Sequence, residues 1–394
     1  MKPDRAAKQV IIGMPVLLLG GTELQVLSLV TILLRAGYKV TICCYYEFDL
    51  PIVDQMKEAG AEVILLKLKR EKEKFSPKSA LVLVWELFSI FRRYRPDIVH
   101  IQYLAPALIP IITARLARVH TVFATSHIAG GIAYGTKAKF LLRIAAYLCS
   151  AFFCVSKGVE EFWFGDSEVL NPEDLNNKRK HFTIYNAIDV ETIEQSVSGV
   201  DREELKRSLG ITGKKVVGIV GRLAPQKGHT ILLDAVLEIM RKIPDVAFVV
   251  VGDGPERTSL EEKARKLNIN QNILWIGSKQ QKEVFELYSV MDMFVMPSLY
   301  EGFGLAAAEA MAAGLPVVGT RVDGLSEIIE DGVTGYILPV VDSHGLANVL
   351  IQMLSNPEKR EMMGQRGKDR IRELFSLQRF NRSILAAYDD LSRH

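Results

Sequence analysis

Two glutamates, Glu301 and Glu309, flank a glycine-containing loop in the segment Pro297 to Thr320, PSLYEGFGLAAAEAMAAGLPVVGT. The apolar run from Met293 to Met296 ahead of it predicts a buried strand. Gly314 and Pro316 predict the stop of a short alanine-rich helix, before a second strand at Val317 and Val318. A strand, a Gly-rich loop and a helix N-terminus together form an anion site, because the first amides of a helix have no partner within it. Carboxylates beside such a site would repel a bound phosphate, so they should face something neutral, such as hydroxyl groups. Glu309 falls among alanines on a helix that should be largely buried, where a carboxylate without a partner is costly. The chemistry is that of a ligand part phosphate and part polyol. The bland alternative is a glutamate that only complements the dipole of a helix start.

Other segments fall at the ends of predicted strands. GRLAPQKGH, Gly221 to His229, offers Arg222 and Lys227 as two cations for a diphosphate; two solvated surface charges are the alternative. VGDGPER, Val251 to Arg257, lacks the third glycine of a dinucleotide fingerprint. It reads as a sharp turn into a helix with Pro255 at its first position. In VDGLSEIIEDGVTGYIL, Val322 to Leu338, Glu327 is a candidate lining residue and DGVTG is turn chemistry. Near the start, Gly20 and Gly21 in GGTE serve either close backbone approach to a ligand or a plain helix start capped by Thr22. His127, in TSHIAGG from Thr125 to Gly131, follows a strand end directly.

These segments need a scaffold that alternates strand and helix. Strands are predicted at Val10 to Met14, Lys39 to Cys44, Ala61 to Leu65, Ile98 to Ile101, Thr121 to Thr125 and Phe152 to Val155. Helices are predicted at Glu23 to Arg35, Asp49 to Ala59, Ala80 to Arg93, Leu104 to Ala117 and Lys137 to Tyr147. IYNAID, Ile184 to Asp189, reads as the strand that hands the chain on. The alternation restarts with strands at Val216 to Val220, Val246 to Val251, Ile273 to Ile276, Met293 to Met296 and Val317 to Gly319. Helices at Pro357 to Phe375 and Leu377 to Leu391 close the chain. The pattern predicts an α/β protein of two doubly wound parallel sheets with ligand bound in a cleft between them. The expected division is residues 1–195 and 196–376, with a last helix near 377–394 packed back on the first domain.

The length, 394 residues, suits two such domains, and 48% hydrophobic with 24% charged residues is a folded composition. A formal net charge of +3 gives no case for nucleic acid. Cys43, Cys44, Cys149 and Cys154 form no Cys-x-x-Cys pair and read as buried free thiols, which favours the cytosol. No signal peptide is evident, and no apolar run approaches the roughly 20 residues of a transmembrane helix. Basic stretches in the first half, KLKREKEK at Lys67 to Lys74, Arg92, Arg93, Arg95, Lys139 and Arg143, are candidates for peripheral contact with anionic lipid. A solvated charged face is the other reading.

On EGFGLAAAEAMAAGLPVV, GRLAPQKG and VGDGPER in that relation, the chain resembles the retaining, nucleotide-sugar-dependent glycosyltransferases of family 4, group 1 type. That family has two facing Rossmann-like domains, the GT-B fold. The resemblance implies that Glu301 binds and orients the donor sugar, that Glu309 holds the ribose hydroxyls, and that Arg222 and Lys227 neutralise the diphosphate. Backbone amides around Phe303, Gly304 and Leu305 would complete the phosphate site, Gly20 and Gly21 would form the N-terminal glycine loop, and His127 would contact the sugar near its anomeric carbon. It implies no cofactor, no metal, and transfer from a nucleoside diphosphate sugar to a glycan or lipid-linked acceptor in cell-surface polysaccharide or glycolipid assembly. Ile128 stands where the family often has an acidic residue, and Asn186-Ala187 replaces its usual Asn-Gly. A sugar-nucleotide epimerase, or a non-catalytic sugar-nucleotide-binding protein on the same fold, is the alternative. Base, sugar and acceptor are not legible.

Overall fold

The short apolar runs become two parallel sheets in a computed structural model of the chain, which describes residues 7–18, 20–69, 77–103, 108–127, 135–175 and 179–391. The first sheet holds β1 (Gln9–Met14), β2 (Lys39–Cys44), β3 (Glu62–Leu65), β4 (Ile98–Gln102), β5 (Thr121–Ser126), β6 (Ala151–Cys154) and β7 (His181–Thr183). Their order is β3-β2-β1-β4-β5-β6-β7. The second holds β8 (Lys215–Val220), β9 (Val246–Val251), β10 (Ile273–Gly277), β11 (Met293–Met296), β12 (Val317–Thr320) and β13 (Gly335–Leu338), in the order β10-β9-β8-β11-β12-β13. Every named pairing is parallel, so all strands of a sheet end at one edge. β9 is buried along its whole length, as helices on both faces of a sheet require. In each sheet the winding reverses once, between β1 and β4 and between β8 and β11. Such reversals leave crevices at the carboxyl ends of the strands.

The chain divides into two compact units, Met1–Ala187 with Gln378–His394, and Ile188–Leu377. The first crossing falls at Ala187, earlier than residue 195, because the helix Val190–Ser198 packs on the helices Gln281–Tyr288 and Leu305–Ala312 of the second unit. Glu194 on that helix pairs with Lys368 and Arg372. The last helix, Leu377–Asp390, belongs almost wholly to the first unit. Its Tyr388 hydroxyl lies 2.7 Å from His100 Nδ1, its ring packs edge-on against Phe123, and the other His100 nitrogen lies 2.7 Å from Thr125 Oγ1. Gln25 holds both the amide and the carbonyl of Ala187, at 2.8 and 2.7 Å, which fixes the backbone where the chain leaves the unit.

Some expectations need correction. Ile184 to Asp189 is not a strand: the edge pairing is made by β7, and Ile188 instead bridges Ser376 beside the returning chain. The stretch Val322 to Leu338 is more than turns, since it forms a helix, Asp323–Ile328, and the edge strand β13, paired with β12. Pro255 does not begin a helix, which starts at Arg257. Leu104, Arg70 to Lys74, Ile128 to Gly131, Asn176 to Lys178 and residues 392–394 lie outside the described residues. All four cysteines are free and buried, and burial pushes the thiols of Cys44 and Cys149 up to about 12. No helix among the described residues is long and apolar enough to cross a membrane.

Tyr388→Phe removes one hydroxyl and leaves the buried His100 Nδ1 without a partner. It should lower the stability of the first unit by about 1–3 kcal/mol, read as an earlier urea midpoint by near-UV circular dichroism. An unchanged midpoint would show that the bond contributes nothing.

Candidate functional site

In the second unit, three loops meet at the β8/β11 reversal. The loop after β8 carries Arg222 and then a short 3-10 turn, Pro225–Lys227. It is held against the loop after β9: Leu223 N donates to Asp253 O at 2.9 Å, and a Cβ on Gly252 would fall 2.0 Å from the Gly221 carbonyl oxygen. The glycines of VGDGPER therefore serve this backbone contact. The same loop is pinned to the one after β11. Gly228, at φ 67°, lies so close that a Cβ would sit 1.9 Å from the Pro297 carbonyl oxygen, and Leu299 N donates to Gln226 O at 2.8 Å.

That docking brings Lys227 and Glu301 together, Nζ to Oε2, at 2.6 Å. Both side chains are mostly buried, at 18% and 16% exposure, and Ser298 Oγ also reaches Glu301 Oε2 at 3.4 Å. In a mostly buried pair of this kind, removing one member strands the other. Arg222 is exposed in the same loop.

Gly304, at φ 102°, opens the helix Leu305–Ala312 without a side-chain cap, so the first amides of the helix have no side-chain acceptor at the cap. Phe303 contributes no polar side chain. Its ring packs edge-on against Phe375, 5.6 Å between centroids, and any phosphate contact here is through the backbone. One turn into the helix, Glu309 Oε2 accepts from the hydroxyl of the buried Tyr288 at 3.1 Å, with a further bond from the Gln281 side chain. Desolvation outweighs those bonds and raises the Glu309 carboxyl to about 7.

The first unit assembles its own cluster at the β1/β4 reversal. Gly20 precedes the helix Gly21–Arg35 in an extended conformation, and a Cβ on it would meet Glu23 Oε2 at 2.9 Å. Glu23 is buried, its carboxyl raised by desolvation, and accepts from Tyr103 Oη at 2.8 Å. Tyr103 directly follows β4 at φ 68°, and its ring lies 5.6 Å from that of His127 after β5. His127 Nε2 lies 2.7 Å from Gln102 Oε1. That oxygen only accepts, so Nε2 carries the proton and Nδ1 is an acceptor, buried and, among the described residues, without a partner. Desolvation lowers the His127 pKa to about 3, so the ring is neutral.

The sequence-predicted residues thus fall into two groups. Arg222, Lys227, Glu301, Phe303, Gly304, Leu305 and Glu309 meet at one sheet edge of the second unit, while Gly20, Gly21 and His127 meet at one edge of the first. Glu327 is on the helix Asp323–Ile328, and its backbone carbonyl accepts from Arg370. Sequence reasoning missed Glu23, Gln102, Tyr103, Tyr288 and Ser298. Gln102 and Tyr103 stand at a strand end and could have been found by that position. Tyr288 carries no such signal.

Residues 201–370 match the family of glycosyl transferases group 1, and residues 20–156 match the glycosyl transferase 4-like domain. An N-acetyl-alpha-D-glucosaminyl L-malate synthase of Bacillus anthracis is 32% identical over 212 residues, 54% of this chain and 54% of that protein. An uncharacterized glycosyltransferase of Methanocaldococcus jannaschii is 26% identical over 349 residues, 88% of this chain and 90% of that one. Several curated relatives, like the first, align over only about half of their length. The structure of Anabaena HepE in complex with UDP-glucose superposes with a TM-score of 0.80 at 20% identity, covering 96% of this chain and 99% of that one. Its likeness gives the fold, two Rossmann-like domains of the GT-B type. Because one family match lies on each parallel sheet, and the two together take in most of the chain, the protein belongs to the group 1 glycosyltransferases with a family 4-like N-terminal domain.

Proposed function

We propose that the chain transfers a sugar from a nucleoside diphosphate sugar to a glycan or lipid-linked acceptor, with retention at the anomeric centre. In this reading it works in cell-surface polysaccharide or glycolipid assembly at the cytoplasmic side of the membrane. The observation that carries it is the Lys227–Glu301 pair beside an uncapped helix N-terminus at the β8/β11 reversal. An ammonium has three donors. Lys227 can therefore keep one on Glu301 and turn the others to a diphosphate, while Glu301 keeps its second oxygen for a sugar hydroxyl.

Departure of the nucleoside diphosphate builds negative charge where Lys227, Arg222 and the amides after Gly304 converge. Donors fixed before the reaction stabilise that charge more in the transition state than in the ground state. In this reading the cations take the part a metal ion plays in other transferases. Glu309 holds the ribose hydroxyls, oriented by Tyr288. His127, neutral and with Nδ1 free to accept, takes a hydrogen bond from a sugar hydroxyl. A ring held at so low a pKa is a poor proton carrier near neutral pH. As the bond from the anomeric carbon to the diphosphate oxygen breaks, the acceptor oxygen would bond to that carbon on the face the leaving group vacates and pass its proton to the departing diphosphate oxygen.

A thermal-shift panel of UDP-, GDP- and ADP-sugars tests the reading directly. UDP-sugars head it, since HepE is recorded with UDP-glucose. One class should stabilise the protein, by about 2.7 kcal/mol at a hundredfold excess over Kd; no shift with any class removes the donor assignment. Glu301→Gln and Lys227→Ala should each lower kcat/KM by about a hundredfold or more. Only Lys227→Ala should also weaken binding of the free nucleoside diphosphate, and wild-type turnover in both variants would refute the site.

The raised Glu309 carboxyl gives a pH signature. Below about 7 it takes up a proton and can no longer accept from both ribose hydroxyls. The donor KM should therefore rise, by about three- to tenfold, as pH falls from about 8 to about 6. Glu309→Gln should flatten that dependence, and an identical profile in the variant would rule out the role.

A further inference from the structure

The strands of the first sheet begin at the edge opposite the one that carries Gly20, Tyr103 and His127, and a pocket of about 410 Å³ opens there. It lies where β4 and β5 start, beside Ile98 and Thr121. The five residues of β4 put it roughly 15 Å from the cluster at the other edge. A pocket of this volume takes a small organic molecule. Its floor is apolar, made by Phe91, Pro96, Ala117 and Val119, all buried. Its rim is basic. Arg92, Arg95 and Arg118 line it with Lys8 and His120, against one carboxylate, Asp97, which accepts from the Gln9 amide at 2.7 Å. Among the described residues, the side chains of Arg92, Arg95, Arg118 and His120 have no hydrogen bond or ion pair.

Two of those arginines stand where the backbone favours glycine. Four successive helices each end in a left-handed residue that turns the chain into the next strand. After Gly21–Arg35 and Leu50–Glu58 it is Gly37, at φ 88°, and Gly60, at φ 104°. After Pro77–Tyr94 and Leu108–Leu116 it is Arg95, at φ 47°, and Arg118, at φ 65°. A side chain is strained in that conformation, so glycine is the usual choice at a helix end. The strain is borne at the two positions that line the pocket and avoided at the two that do not. A cation at a helix end also complements the dipole, but the last turns of the same two helices already hold Arg93 and Arg115 for that. Guanidinium groups above an apolar floor suit a phosphate joined to a ring, since paired N–H donors hold the oxygens and the floor takes the ring. A concave site admits a small solute and not the plane of a bilayer.

We propose that this pocket binds a soluble small molecule carrying a phosphate on an apolar-faced ring, with Arg92, Arg95 and Arg118 on the phosphate and Phe91, Ala117 and Val119 under the ring. Because it opens at the other end of β4 and β5, it can be filled while the edge with Tyr103 and His127 is occupied. Binding here does not depend on the donor assignment.

Phenyl phosphate and inorganic phosphate serve as probes, titrated calorimetrically into the full chain at low salt. Phenyl phosphate should bind, and inorganic phosphate about threefold more weakly or worse, since it leaves the floor uncovered. The double variant Arg95→Gly, Arg118→Gly relieves both left-handed positions, so it should keep its circular dichroism and its urea midpoint. It should nonetheless bind phenyl phosphate about tenfold more weakly or worse. Arg92→Ala, at an exposed helix position, should weaken binding in the same direction, whereas Lys227→Ala should bind the probe like the wild type. No binding of phenyl phosphate, wild-type affinity in both arginine variants, or a loss in Lys227→Ala instead would each overturn the proposal. So would equal affinity for the two probes, which would leave the apolar floor without a role. Sedimentation with phosphatidylglycerol vesicles that the double variant abolishes, without binding of the soluble probe, would assign these arginines to a lipid surface and overturn it as well.

Discussion

All strands of each sheet are parallel, and that single constraint brings the chemistry to one place. Parallel pairing sends every strand toward the same edge, so each βα loop opens there. Where the winding reverses, neighbouring loops lead their helices to opposite faces and a crevice is left between them. At the β8/β11 reversal the crevice is narrowed by backbone contact, Gly228 against the Pro297 carbonyl. The contact leaves no room for a side chain. It carries Lys227 to within 2.6 Å of Glu301, a residue 74 positions away.

Burial then decides what each group can do. The Lys227–Glu301 pair keeps two opposite charges mostly shielded without stranding either, which is the condition under which a buried charge is tolerated. Among the described residues Glu309 has no such cation; it has the hydroxyl of Tyr288 and the side chain of Gln281, and its carboxyl rises into the neutral range. His127 loses its charge altogether and is left as an oriented acceptor. Residues that look alike on paper, two glutamates in one short segment, are thus given different partners by their surroundings, a lysine for Glu301 and a tyrosine hydroxyl for Glu309.

Much of the fold was legible because periodicity is local. The apolar runs at Val246 to Val251 and Met293 to Met296 are strands at those bounds, since runs so short between turn signals, rich in Val, Phe and Met, fall below the length of a helix. β13 was hidden because four residues after a turn declare themselves only through pairing with β12. The IYNAID segment failed for the converse reason: it is apolar enough for a strand, but β7 already occupies the sheet edge.

The sequence by itself determined the α/β alternation, the GT-B pair of domains, and the residue types at the strand ends, Arg222, Lys227, Glu301, Glu309, Gly20 and His127. Only the tertiary structure decided their partners. It set Lys227 on Glu301, Tyr288 on Glu309, Gln102 on His127, and Tyr388 on His100 across 288 positions. The physical reason is range. Strand and helix patterns are written over a few neighbouring residues, whereas hydrogen bonds, ion pairs and desolvation depend on which distant segments the packed chain brings within about 3 Å.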